Sequence, residues 1–150
     1  MHKAHYGQLA IMTALSYVAM FILMYAMVDR FANVYVNVNQ AYMAGLMAAP
    51  MAIIELAVMH AMYPNMRANL AIGAVAVMAV VLFFVGIRLQ AAVADEQFIR
   101  SMIPHHAGAI LMCNGATLTD TELKKLCSEI VAGQQREIDQ MKQILVRLKR

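Results

Sequence analysis

The sequence predicts an all-α membrane protein: three transmembrane helices, then a two-helix hairpin that completes a four-helix bundle by dimerisation. Three observations carry this reading. The chain has 150 residues, 62% hydrophobic and only 14% charged, too apolar for an ordinary water-soluble domain. Its charge is placed unevenly: residues 1–94 hold four Lys/Arg (Lys3, Arg30, Arg67, Arg88) and two acids (Asp29, Glu55), whereas residues 95–150 hold eight and seven. Beyond Arg88, long apolar runs give way to amphipathic helical stripes. The chain therefore divides into a membrane domain, 1–90, and a water-facing hairpin domain, 91–150.

A bilayer core of about 30 Å needs roughly 20 apolar residues. The first span, 7–28, is uncharged up to its last residue. Its run is too long for a secretory leader and no small-x-small site follows before Asp29-Arg30, so we expect a retained helix. The second, 40–63, contains Pro50, Glu55 and His60; the third, 69–87, is uncharged. Tyr6, Tyr25, Tyr35, Tyr42 and Tyr63 lie near span ends, where amphipathic rings favour the headgroup layer. Residues 29–39, with Asn33, Asn37 and Asn39, read as a polar connection, and Pro64-Asn65-Met66-Arg67 as a tight turn. Charge barely selects an orientation, with Lys3 and Arg67 on one side against Arg30 and Arg88 on the other.

In the hairpin, Asp95 is placed to cap the first helix, with Glu96 in the first turn. Phe98, Met102, His105, Ala109 and Cys113 recur at helical spacing, and Pro104 is expected to kink the helix by removing a donor and crowding the carbonyl of Arg100. Gly115 to Asp120 reads as the turn. Thr119 or Asp120 caps the second helix, and Thr119-x-x-Glu122 has capping-box form. One face of that helix carries Leu123, Cys127, Ile130, Gln134, Ile138, Met141, Leu145 and Leu148. Two such helices cannot bury a sizeable core alone, hence the expected homodimer.

The segment 102–113 concentrates two histidines, two thioethers and a thiol, in a chain with only five His and two Cys. Such ligands suit soft and borderline metals, copper above all. His105 and His106 diverge by about 100° around a helix, so a metal takes one of them with Met102 and groups of the second helix. Residues equidistant from the turn oppose each other, which brings Glu137 and Met141 within reach of the His segment as ligands or their supports. The bland alternative is one core His and one solvated His. Cys113 and Cys127 are symmetric about Asp120, so a disulfide in an oxidising compartment, a reduced Cu(I) pair, and two buried thiols all remain open.

Eleven of the fifteen methionines lie within residues 1–66. Met43, Met47, Met51, Glu55 and Met59 recur every four residues on the second span, beside His60 and Met62, a candidate intramembrane path for Cu(I). Plain packing is favoured for the methionines. Glu55 is costly in a span and calls for a partner, on another helix rather than His60.

Asp95-x-x-Phe98-x-x-x-Met102-Ile103-Pro104-His105-His106-x-Gly108-Ala109-Ile110-x-Met112, followed by Leu126-Cys127-x-x-Ile130-x-x-x-Gln134-Gln135-x-Glu137-Ile138-x-x-Met141, resembles the bacterial domain of unknown function 305 over about residues 91–148. The Met-Tyr-x-Met-Val-Asp and Ala-Pro-Met-x-Ile-Ile-Glu segments resemble its membrane-attached branch. The resemblance implies a ferritin-like helical, exported domain, with copper binding or resistance in some members, and Met102, His105, His106, Met112 and Met141 as ligands. Many members have Ala where Cys113 and Cys127 stand, so the role of the cysteines is not implied. No Glu-x-x-His pair of the di-iron kind occurs in 95–150.

The expected function is therefore an inner-membrane copper-binding protein, N-terminus cytoplasmic and hairpin periplasmic. It would buffer or deliver Cu(I) to a copper transporter or chaperone for copper tolerance, with membrane lipid as its surroundings. The alternative is a non-catalytic accessory or structural subunit of a larger membrane assembly. No basic block with interleaved aromatics points to nucleic acid, no Cys-x-x-Cys to redox catalysis, and no nucleophile-base arrangement to hydrolysis. We expect no enzyme.

Overall fold

The computed structural model describes residues 2–148, in which every regular element is helical. Five α-helices follow in order: α1 (His2–Leu23), α2 (Val38–Val58), α3 (Met66–Arg88), α4 (Asp95–Gly115) and α5 (Thr121–Leu148). Short 3-10 turns, Met24–Met27, Phe31–Asn33 and His60–Met62, lie in the connections. The chain forms two compact units. One holds α1 to Met24 together with Asn39–Ala91; the other combines Tyr25–Val38 with the hairpin from Ala92 onward. The hairpin from Ala92 thus falls in the second unit, and the first connection, Tyr25–Val38, groups with it rather than with the apolar helices.

In the first unit three helices are long and apolar enough to cross a membrane: His5–Met27, Val38–Val58 and Met66–Arg88. Their packing is inverted relative to a soluble protein. Small residues face inward, Ala44, Gly45, Ala48, Ala49 and Ala52 from α2 and Ala76 and Gly86 from α3. Large side chains such as Ile11, Leu15, Val75 and Leu82 face outward. Small-residue faces let helix backbones approach closely where lipid surrounds them. Gly45 is required by contact, since a Cβ there would overlap the ring of Phe83; at Gly86 it would meet the Tyr42 ring at 3.2 Å.

The second span ends at Val58, short of the expected residue 63, and the chain turns through His60–Met62. Helix α3 begins on Asn65, whose side chain accepts from the Ala68 amide. It ends in a Schellman arrangement: Ala91 N–H donates to Gly86 O and Gln90 N–H to Ile87 O. Gln90 (φ 50°) and Ala92 (φ 57°) both sit in the left-handed region that favours glycine.

In the second unit α4 and α5 lie antiparallel on a core of Ile99, Ile103, Ala107, Ile110, Ile138 and Leu145. Val28 and Tyr35 from the first connection pack against the same core. The cap of α4 is Ala94, not Asp95; Asp95 and Glu96 occupy the first turn, and Glu96 pairs with Arg100 at 2.8 Å. Helix α4 runs through Pro104 without interruption to Gly115. Asp120 precedes α5 and caps it, its carboxylate accepting from the Leu123 amide at 2.8 Å, while Thr119 makes no such cap. No residue between Leu111 and Glu137 is buried, so the turn end of the hairpin has little core of its own.

Candidate functional site

Helix α4 presents three faces, because successive residues turn by about 100°. Ile99, Ile103, Ala107 and Ile110 face α5 and are buried. Pro104 and Gly108, also buried, face the connection 25–38. A Cβ on Gly108 would stand 3.3 Å from the Met27 carbonyl oxygen, so glycine lets that backbone lie directly on the helix. The third face carries Phe98, Met102, His105, Ala109 and Met112, of which Phe98, His105 and Met112 are exposed and the other two half-buried.

The two adjacent histidines therefore part company. His106 is 8% exposed. Its Nδ1 lies 2.9 Å from the Met102 carbonyl oxygen and its Nε2 2.6 Å from Glu137 Oε2. Both ring nitrogens are thus engaged, one by the backbone of α4 and one by a side chain of α5, which fixes the ring. At 2.6 Å no ion fits between Nε2 and Oε2; a metal on His106 requires Glu137 to swing away. Glu137 is thus an orienting partner that ties α5 to α4. His105 is exposed, its ring 6.1 Å from that of His106 and edge-on to it. No hydrogen bond to it is present among the described residues.

The ligand set read from the sequence divides accordingly. Met102, His105 and Met112 share the open face. Met141 is half-buried against the hairpin core, on the flank of α5 that borders this face. His106 and Glu137 are bound to each other. Among the described residues no group of three or more His, Cys, Asp or Glu is positioned to hold a metal ion.

Cys113 and Cys127 are joined, S–S 2.11 Å with Cα atoms 5.3 Å apart. The two cysteines line an open cleft of about 510 Å³ with Asn114, Lys124 and Ser128. The disulfide takes both cysteines out of the ligand set in this state.

The intramembrane candidates do not gather. Met47, Met59 and His60 are exposed and Met51 is half-buried. His60 lies in the turn after α2. Glu55 finds its partner in Tyr63, whose hydroxyl donates to Oε1 at 2.6 Å. Tyr63 is buried against the Tyr6 ring, and Tyr6 in turn donates to Asn69 Oδ1 at 2.8 Å. Glu55 is held by a tyrosine from a loop, not by a helix or by His60.

A polar strap over the hairpin went unread in the sequence. Asn33, 1% exposed, donates through Nδ2 to Asp29 Oδ1 and accepts from Lys142 Nζ, both at 2.6 Å. Arg30 donates to Asp29 and to Gln135. Gln97 accepts from the Val38 amide at 3.1 Å. Burial alone would raise the Asp29 carboxyl, but hydrogen bonds from Asn33 and Arg30, and the charge of Arg30, hold it below the usual carboxylate range. The signal was present in Met24-Tyr25-x-Met27-Val28-Asp29 and the asparagines that follow, but it identifies no partner by itself.

The fold and site define a class: three apolar helices of spanning length joined to a disulfide-closed helical hairpin with a thioether and imidazole face. The chain belongs to the family of the domain of unknown function DUF305, which matches residues 39–145 and so reaches back across α2 and α3. It is similar to the uncharacterized protein L153 of Acanthamoeba polyphaga mimivirus, 29% identical over 119 residues, covering 78% of this chain and 76% of that protein. No solved structure matches it.

Proposed function

We propose that this protein binds copper as Cu(I) on the α4 face of its hairpin. It buffers or hands on the metal at the periplasmic side of an inner membrane and catalyses no reaction. The observation that carries the reading is the open stripe of Met102, His105 and Met112, with Met141 on its edge. Thioethers with imidazole are soft and borderline donors of the kind Cu(I) selects, and no carboxylate stands free among them to favour a harder ion. Two further features support the orientation. After one span and after three spans the chain is on the same side of a membrane, and Tyr25–Val38 packs with the hairpin in one unit, as that topology requires. The disulfide suits an oxidising space, which leaves the N-terminus in the cytoplasm.

The alternative, an accessory subunit without metal, draws on the same open face, which a partner protein would cover. Cu(I) titration of the purified full-length protein against a competing chelator separates the two. We expect binding that falls at least tenfold in Met102→Leu and in His105→Ala, less in Met141→Leu, and not in Met47→Leu. A wild-type protein that takes up no Cu(I) refutes the metal reading. Loss of binding in Met47→Leu alone would move the site into the membrane unit.

A further inference from the structure

The open face of the hairpin has the spacing of a helix-pairing seam. Phe98, Met102, His105, Ala109 and Met112 are spaced 4-3-4-3 along α4, the repeat of a coiled-coil seam rather than of a solvated stripe. Beside it α5 offers Leu126 and Ile130, which flank the same side and are not enclosed by the hairpin core. The opposite flank is already covered by the chain's own strap, through Gly108, Gln135 and Lys142. One side is finished and the other is not.

Charge and size both favour a second copy as the occupant. From Phe98 to Met112 the seam holds no charged residue, and Glu137 beside it is bound to His106; Asp95, which continues the same repeat, stands exposed at the end of the seam, so two copies meet without like-charge conflict along the stretch that carries Met102 and His105. It is roughly 20 Å long by the helical rise and about two helices wide, so pairing buries on the order of 1,000 Å² in total, the threshold for a specific interface. Confinement of both copies to one membrane raises their effective concentration and lowers the affinity needed.

The metal set is also incomplete in one chain. Met102 and His105 are one turn apart, but Met112 lies about 10 Å further along the axis, too far to share an ion with His105. The pair from one helix leaves an ion open on its far side. Copies anchored in one membrane point the same way, so their two-fold axis follows the membrane normal, and groups near the axis meet their own counterparts.

We propose that two hairpins pair through this face into a four-helix bundle and that Met102 and His105 of both copies enclose one Cu(I) between them. The proposal rests on the copper reading for its metal but not for its interface. The added thiol of Ala109→Cys would be the one free cysteine among the described residues, the native pair being bonded. In vesicles holding the full chain, a short thiol-to-thiol cross-linker should give a covalent dimer from Ala109→Cys and none from Gln143→Cys, an exposed position off this face. Ala109→Lys, at a half-exposed site that a monomer tolerates, should yield monomers and lower Cu(I) affinity at least tenfold with every ligand intact. Wild type should bind one Cu(I) per two chains. Absence of the Ala109→Cys dimer, or its capture only on another protein, overturns the interface. A monomeric Ala109→Lys protein with wild-type affinity overturns the shared site. A dimer that binds no Cu(I) overturns the copper reading, and the shared site with it, and leaves the interface standing.

Discussion

Reducing the Cys113–Cys127 bond should loosen one end of the hairpin and leave the other intact. The bond closes a loop with a sequence separation of 14. By the chain-entropy relation a loop of that size contributes about 3 kcal/mol at 25 °C. Where that stabilisation acts follows from burial: between Leu111 and Glu137 no residue is buried, whereas Ile99, Ile103, Ile138 and Leu145 form the core at the other end. Local opening of the turn end therefore has the disulfide as its principal restraint, while opening of the core end must also break the apolar packing and the strap. Hydrogen exchange on the full chain, oxidised and reduced, measures this directly. Amides in the last turns of α4 and the first turns of α5 should exchange on the order of a hundredfold faster after reduction, the equivalent of about 3 kcal/mol. Those of residues 99–107 should change little. Equal acceleration throughout the hairpin would show that the bond supports the whole unit, and no acceleration that the turn end is held by contacts to something else; either result refutes the reasoning.

Three other expectations follow from the second unit and the end of α3. Asn33→Ala removes two short bonds, one from an ammonium, and should destabilise the hairpin unit by about 2–4 kcal/mol; thermal unfolding of Asn33→Ala, Lys142→Met and the double variant should show a coupling of about 1–3 kcal/mol. The Asp29 carboxyl is held below its ordinary value, so its contribution is complete above about pH 4 and is lost as pH falls through the lowered folded value. Wild type should lose stability in that window and Asp29→Asn should lose less, as read from melting temperature against pH. Gln90→Gly relieves a left-handed backbone at the end of α3 and should raise stability by up to about 1 kcal/mol in chemical denaturation, provided the Gln90 side-chain bonds to Asn39 and Ile87 contribute less than that.

The helices were legible because their causes are local. Runs free of charge gave the spans, and the placement of Cys113 and Cys127 about Asp120 is what sets them opposite one another in an antiparallel hairpin. The end of α2 is not legible because Met59 to Tyr63 carries no Gly, Pro or fully charged residue to mark a stop; the backbone turn at His60–Met62 distinguishes it. The division of labour between His105 and His106 was half legible. A 100° separation shows that they differ but not which one meets Glu137. The strap was not legible at all, since Asn33 and Lys142 are 109 residues apart and neither carries a mark of the other. Buried polar side chains of this kind are recognised by their partners, and partners are a property of the fold.

The strap also imposes an order of events on the making of the protein. Tyr25–Val38 leaves the ribosome early, yet the groups that satisfy Asn33 and Arg30, on Gln135 and Lys142, are synthesised near the end. In the proposed three-span topology, two more helices must be inserted and the hairpin carried across before those bonds can form. Until then Asn33 and the Met27 carbonyl wait without their helical seat, a long-range closure of the kind that folds late. Under the proposed topology, the finished hairpin unit is thus a record that all three helices were threaded in the right sense. A chain inserted with one span missing would place strap and hairpin on opposite sides of the membrane, leave the unit open, and present unpaired polar groups and bare apolar helix to the cell's quality-control proteases.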